Sequence, residues 1–255
     1  MIELLLLLVF IYLYLKHYKK DKFTQENKEL LYVHIPKTGG TSIEDSFKKH
    51  NIKVGRFKSD MKNVKKFENI KCSYWHMPPK NMNISFNNYN VFTIIRNPYT
   101  RFVSEYKHNG HGKYADINKW ALSLRDNSNT YKNNCHLLPQ IEYLYDKDGK
   151  FVPNILRLEH IKDEFNEFKN KYKLDEDIEL LHNNQRMVNK GVEMNQDTIE
   201  FINEYYKEDF DLFLQKEFYT KEELNHWAAP WVPPPNDDPA PAVARVATGR
   251  PARQI

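Results

Sequence analysis

Lys37-Thr38-Gly39-Gly40-Thr41-Ser42 sets a cation, two glycines and three hydroxyls in one short run, just after the apolar stretch Leu30-Leu31-Tyr32-Val33-His34-Ile35 and Pro36. That grouping suits an oxyanion. Glycine lets the backbone approach a ligand, amides at a helix start donate to it, and Lys37 and the hydroxyls supply further donors. Farther along, Arg96 follows a second apolar stretch, Val91-Phe92-Thr93-Ile94-Ile95, and Asn97-Pro98 breaks that stretch and opens a helix. Ser104 lies about two turns along this helix at ~1.5 Å per residue, where it can share an anion with Arg96. An open α/β sheet presents anion-binding groups at its carboxyl edge through such strand–turn–helix units. The two units together imply a site for a phosphorylated nucleotide.

The order of residues excludes the common phosphate loops. A Walker A loop carries its lysine after the last glycine, whereas Lys37 precedes both, and a Gly-x-Gly-x-x-Gly fingerprint is lacking. Magnesium-assisted phosphoryl transfer also wants carboxylates, and the sequence shows no convincing acidic cluster. No metal is expected. A nucleotide-dependent kinase, or an idle glycan- or nucleotide-binding protein, is the alternative in another class.

The pair of segments His34-Ile35-Pro36-Lys37-Thr38-Gly39-Gly40-Thr41-Ser42 and Arg96-Asn97-Pro98-Tyr99-Thr100-Arg101-Phe102-Val103-Ser104 resembles the sulfotransferases that use 3′-phosphoadenosine 5′-phosphosulfate. Within them it is most similar to the membrane-anchored carbohydrate enzymes of sulfotransferase family 2, related to the heparan, dermatan and chondroitin sulfotransferases. The resemblance runs from about Leu30 to about Phe218. Pro139-Gln140, Arg157-Leu158-Glu159 and Tyr205-Tyr206-Lys207-Glu208-Asp209-Phe210 are its weaker echoes, and Leu181-His182-Asn183-Asn184-Gln185-Arg186 departs from the family's pattern. It implies that Lys37, Thr38, Gly39, Gly40, Thr41 and Ser42 hold the 5′-phosphosulfate and that Arg96 and Ser104 hold the 3′-phosphate. It also implies a P-loop-like single-domain α/β fold, a central parallel sheet flanked by helices, and sulfuryl transfer to a carbohydrate hydroxyl.

Such a transfer needs alignment of donor and acceptor, a cation at the leaving oxygen and a base for the hydroxyl proton. Lys37 is the charge stabiliser. For the base, His76 lies between the two segments, where related enzymes carry a catalytic histidine, and an imidazole pKa near ~6.5 suits the task. His108, His111 and His136 are the rivals, with structural roles expected of each.

The elements that must carry these residues follow from apolar spacing. Residues 155–158 read as a later strand, and 163–173 and 197–213 as helices whose Phe165/Phe168/Tyr172 and Phe201/Tyr205 stripes are core. The polar stretch 113–135, with Trp120, Leu122 and Leu124, reads as an acceptor-facing helix and loop. Residues 58–66 form a basic rim.

The outer segments divide the chain into 1–22, 23–227 and 228–255. Residues 4–15 are an unbroken apolar or aromatic run ending at Lys16-His17-Tyr18-Lys19-Lys20, which reads as a short uncleaved anchor needing snorkelling side chains, with a signal peptide or a helix lying in the interface as the alternatives. The flanking lysines favour a cytoplasmic catalytic domain, whereas the resemblance implies the Golgi lumen. Asn83-Ile84-Ser85 is a glycosylation acceptor that agrees with the lumen. Cys72 and Cys135 either form one disulfide or stay thiols. The body of 23–227 suits one domain, and the Pro/Ala/Arg-rich 228–255 reads as a disordered tail. The net charge of +4 suits a polyanionic glycan acceptor, and no nucleic-acid module is recognised.

Overall fold

The computed structural model describes residues 28–58, 72–110, 116–125, 133–180 and 192–228, and, near the N-terminus, 6, 7, 9–12 and 14. Three parallel strands form the sheet: β1 (Leu30–Val33), β2 (Asn90–Ile95) and β3 (Ile155–Arg157), in the order β1-β2-β3. Each strand is followed by a helix: α1 (Gly40–Lys49), α2 (Pro98–Glu105) and α4 (Ile161–Tyr172), with α3 (Ile117–Arg125) between the second and third units. Helices α5 (Gln196–Tyr205), α6 (Lys207–Gln215) and α7 (Lys221–Asn225) complete the described chain. Because parallel strands all end on one side, the turns after β1, β2 and β3 meet at a single sheet edge.

The alternation of side chains fixes what covers the sheet. Tyr32, Phe92, Ile94 and Leu156 point to one face, where Ile43 and Phe47 of α1 and Phe165 and Phe168 of α4 close over them. Leu31, Val33, Val91 and Ile95 point to the other, under the segments carrying Met77, Met82, Phe86, Leu138 and Tyr143 and under Phe213 of α6. Every residue of β2 is buried, as a central strand covered on both faces requires. A second core lies beyond the sheet, where Tyr99, Phe102 and Val103 of α2 meet Trp120 of α3 and Phe201 and Ile202 of α5.

The apolar stripes read from the sequence are therefore core. The region 197–213 is two helices rather than one, broken at Tyr206, whose hydroxyl donates to the Leu137 carbonyl. The break turns α6 so that Asp209 is buried against Gln140 and Ile141. Ile117 and Trp120 of α3 are likewise core. Residues 59–66 of the basic rim, His111, the 181–186 segment, residues 113–115 and 126–132, and all of the tail beyond Ala228 lie outside the described residues. Among the described residues no helix is long and apolar enough to cross a membrane. Those of the N-terminal apolar run are helical and exposed, and the rest of that run lies outside the described residues.

Candidate active site

The β1 turn is shaped by two left-handed residues, Lys37 with φ 69° and Gly39 with φ 87°. Gly39 caps α1 with no side-chain hydrogen bond, and the first turn of the helix holds no acidic residue. The Ser42 amide donates to the Gly39 carbonyl at 3.0 Å, and the amides of Gly40 and Thr41 at the helix start are of the kind that can donate to an anion. Gly40 answers a different need. A methyl group there would stand 2.4, 2.6 and 2.7 Å from Nε2, Cε1 and Cδ2 of His34, so only glycine lets the imidazole lie against the helix start.

Thr38 corrects an expectation. It is wholly buried and its hydroxyl donates to the Ile35 carbonyl at 2.8 Å, which braces the turn from inside instead of facing a ligand. Lys37, Thr41 and Ser42 are half-buried around the turn.

The β2 turn is tied to the β1 turn by arginines. Arg96 donates from Nη1 to the Lys37 carbonyl at 3.0 Å and from Nε to the Thr100 hydroxyl at 2.9 Å. Arg101, 1% exposed, donates from Nε to the Pro36 carbonyl at 2.9 Å and from Nη2 to the His136 carbonyl at 2.8 Å. Hydrogen bonds from a charged donor contribute about 1.5–3 kcal/mol each, so these contacts weld the two turns into one body. Burial pulls the Arg96 guanidinium down to about 10, opposed by Glu159 and Tyr219, and it remains a cation at neutrality. Ser104 stands one turn beyond Thr100 on the same face of α2 and is half-buried, with Arg96 directed to Thr100.

The weaker sequence echoes prove to be the frame behind these residues. Gln140 grips the Arg96 backbone from both sides, its Oε1 accepting from Arg96 N at 2.9 Å and its Nε2 donating to Arg96 O at 2.7 Å. Asp209 accepts from the amides of Gln140 and Ile141, each at 2.8 Å. Glu159, just past β3, accepts from Asn97 N at 3.0 Å and from the Tyr219 hydroxyl at 2.5 Å. Asn97 caps α2, accepting from Tyr99 N at 3.0 Å, with Pro98 at the first helical position.

His76 sits in a 3-10 turn, Tyr74–His76, between two other imidazoles. Its ring centroid is 4.8 Å from that of His34 and 4.8 Å from that of His136, both in edge-on contact, and His108 stacks on His136 at 5.6 Å. His34 Nδ1 is 2.8 Å from Glu44 Oε1, and His136 Nδ1 is 2.9 Å from Glu105 Oε2. Burial, with the neighbouring His34 and His136, pushes His76 down to about 2, so it is neutral through the physiological range. Cys72 and Cys135 form a disulfide, with Cα atoms 5.6 Å apart, that joins the His76 segment to the His136 segment.

His34, Glu44, Arg101, Glu105 and Asn134 escaped the sequence reading. Arg101 lies inside the second anion-suited segment, and His34 inside the first, but a fully buried arginine or a histidine against a glycine declares its role only through contacts. Among the described residues no group of acidic, cysteine or histidine side chains could hold a metal ion.

The model of the sulfotransferase family matches residues 20–215, a span that takes in both turns, the frame and the histidine row. This chain belongs to the sulfotransferase family. No curated protein and no solved structure matches it. The three-stranded parallel sheet flanked by helices is consistent with a sulfotransferase fold, and the family supports a transferase activity of the sulfuryl type. In this sulfotransferase, Lys37, Gly39, Gly40 and Arg96 meet at one sheet edge, and His76 reaches that edge through His34, whose ring rests on Gly40.

Proposed function

We propose that this sulfotransferase moves the sulfuryl group of 3′-phosphoadenosine 5′-phosphosulfate to a hydroxyl of a carbohydrate, of the polyanionic glycosaminoglycan type. The observation that supports the reading is the hydrogen bond from Arg96 to the Lys37 carbonyl, which sets a helix start without a side-chain cap beside a buried arginine, an arrangement suited to two anions. A donor with phosphate on both its 5′ and 3′ positions needs two such sites, whereas a nucleoside monophosphate needs one. Lys37, Gly39, Gly40, Thr41 and Ser42 would hold the 5′-phosphosulfate, with Thr38 bracing their turn. Arg96 and Ser104 would hold the 3′-phosphate.

The donor supplies a sulfuryl group already activated by its phosphate, so the protein's task is alignment and charge. Lys37 offsets the negative charge that grows on the leaving phosphate oxygen. The acceptor proton passes to the histidine row around His76, the residue that the family resemblance marks as base. No step uses a metal.

An N-terminal anchor and a Golgi-lumenal catalytic domain complete the proposal. The Cys72–Cys135 disulfide and the exposed Asn83 of the glycosylation tripeptide support an oxidising, lumenal setting. Calorimetric binding of 3′-phosphoadenosine 5′-phosphate and of 5′-AMP to the full chain in detergent, without magnesium, tests the donor site. Clear preference for the 3′-phosphorylated nucleotide is expected. Equal binding, or none to folded protein, refutes the reading.

A further inference from the structure

The three central rings of the histidine row do not share one protonation pattern, and their partners decide which ring can do what. His34 and His136 each place Nδ1 against a carboxylate, Glu44 and Glu105. A carboxylate only accepts, so each Nδ1 carries a proton, and in the neutral ring the lone pair is then on Nε2. His76 is built the other way. Its Nδ1 lies 2.9 Å from Nδ2 of Asn134, and the Ser73 amide donates to Oδ1 of the same side chain. The Ser73 contact fixes the carboxamide with its nitrogen toward the imidazole, so Asn134 donates and His76 Nδ1 accepts. Neutral His76 therefore carries its proton on Nε2, the nitrogen that a base must have empty.

We propose, resting on the sulfuryl-transfer reading above, that His76 works from Nε2–H as a hydrogen-bond donor to the group in transfer, and that Nε2 of His136 receives the acceptor proton. In the reaction the acceptor oxygen bonds to sulfur and the bond from sulfur to the 5′-phosphate oxygen breaks, its electron pair leaving with the nucleotide. The hydroxyl proton goes to His136 Nε2, and the imidazolium so formed keeps its Nδ1–H on Glu105, as an acid–base histidine oriented by a carboxylate does.

His136 suits this role better than His34 for two reasons. The Nε2 edge of His34 is pressed against Gly40, where there is no space even for a methyl group. The backbone of His136 is held to the anion-binding turn by Arg101, which donates to both His136 and Pro36 carbonyls. Both His76 and His136 keep 9% of their surface, a little more than the 7% of His34. Burial and the neighbouring imidazoles keep His76 neutral, which agrees with a ring that does not collect protons.

The segment that sets this pattern is held in an unfavourable backbone. Asn134 and Cys135 have φ 56° and 66°, left-handed values that Asn tolerates and Cys adopts rarely, and the disulfide to Cys72 closes on this pair. Strain of this kind persists where the surroundings over-determine it, and it gathers at functional sites. Asn134 is thus a positioning residue, acting on the reaction through His76.

Two experiments decide the matter. Long-range ¹⁵N–¹H correlation spectra of the full chain in detergent, assigned with His76→Gln and His136→Gln, report which ring nitrogen bears the proton. Protonated Nε2 on His76 and protonated Nδ1 on His136 are expected, with His76 switching to Nδ1–H in Asn134→Asp, whose carboxylate can only accept. A wild-type His76 protonated on Nδ1 overturns the proposal whether or not the protein transfers sulfate. Turnover is then compared at saturating donor. His76→Gln keeps an N–H near the Nε2 position and should retain turnover within about tenfold, whereas His136→Gln should lose ~10²–10⁴-fold, as for loss of a general base. Binding of 3′-phosphoadenosine 5′-phosphate should stay unchanged in both. The reverse ranking, with nucleotide binding intact, sinks the assignment to His136 while leaving sulfuryl transfer standing. Loss of nucleotide binding in the wild type would count against the donor reading instead.

Discussion

Gly40→Ala sets two well-known effects against each other at one atom. In helical terms the change is favourable, since alanine exceeds glycine in helix propensity by up to about 1 kcal/mol. The structure predicts the opposite sign. The new methyl would lie 2.4–2.7 Å from three atoms of the His34 ring, and that ring has little freedom to withdraw. It is fixed by Glu44 at 2.8 Å and lies against Tyr32 and His76 at centroid separations of 5.7 and 4.8 Å. To make room the imidazole must leave Glu44, forfeiting a charge-assisted hydrogen bond of about 1.5–3 kcal/mol. Glu44 is fully buried and retains only Arg56, at 3.2 Å from Oε2 and through its amide at 2.9 Å from Oε1. The net expectation is a loss of ~1–3 kcal/mol, read as a lower urea midpoint at unchanged slope, together with weaker binding of 3′-phosphoadenosine 5′-phosphate. The double variant His34→Ala/Gly40→Ala should lose less than the sum of its parts, because the first change removes the ring that the second strikes. A neutral or stabilising Gly40→Ala, or strictly additive single changes, would refute the reasoning.

Three further expectations follow from the same contacts. Lys37→Ala should lower turnover more than it weakens donor binding, because it removes both a donor contact and the charge at the leaving oxygen, whereas Arg96→Ala should mainly weaken donor binding and also lower the unfolding midpoint, because it releases the Lys37 carbonyl; kinetics, calorimetry and urea unfolding separate the two. Reducing the Cys72–Cys135 bridge, whose partners are 63 residues apart in sequence, should cost about 2–4 kcal/mol of stability and reduce turnover by freeing the His136 segment, checked by unfolding and assay with and without dithiothreitol. Acid should tell on His76: the unfolded imidazole takes a proton near its usual value and the folded one only near about 2, so the unfolded state binds more protons across that window and stability falls with falling pH. Between about pH 7 and about pH 5 this amounts to ~2 kcal/mol, and His76→Gln should show a correspondingly flatter stability profile.

The two turns are legible from local sequence. Strand, polar turn and helix are local matters, set by short unbroken apolar runs, by Asn97-Pro98 as a helix opening and by a glycine pair that few other residues could replace. The same local rules found the core stripes of α4 and α5, yet ran 197–213 together, because the break at Tyr206 depends on a distant partner, the Leu137 carbonyl. Local rules also gave the Thr38 hydroxyl to a ligand, although it turns inward to Ile35. What joins the turns, and how the histidines are poised, depends on contacts between distant segments. Arg101 is a motif residue until its guanidinium is seen bridging Pro36 and His136, and Asn134 carries no local signal at all. The reason is physical: propensity and periodicity act over a few residues of one segment, whereas the proton on an imidazole is fixed by whichever donor or acceptor the fold brings to its other nitrogen. For His76 that partner comes from a segment 58 residues away, and for His136 from one 31 residues away.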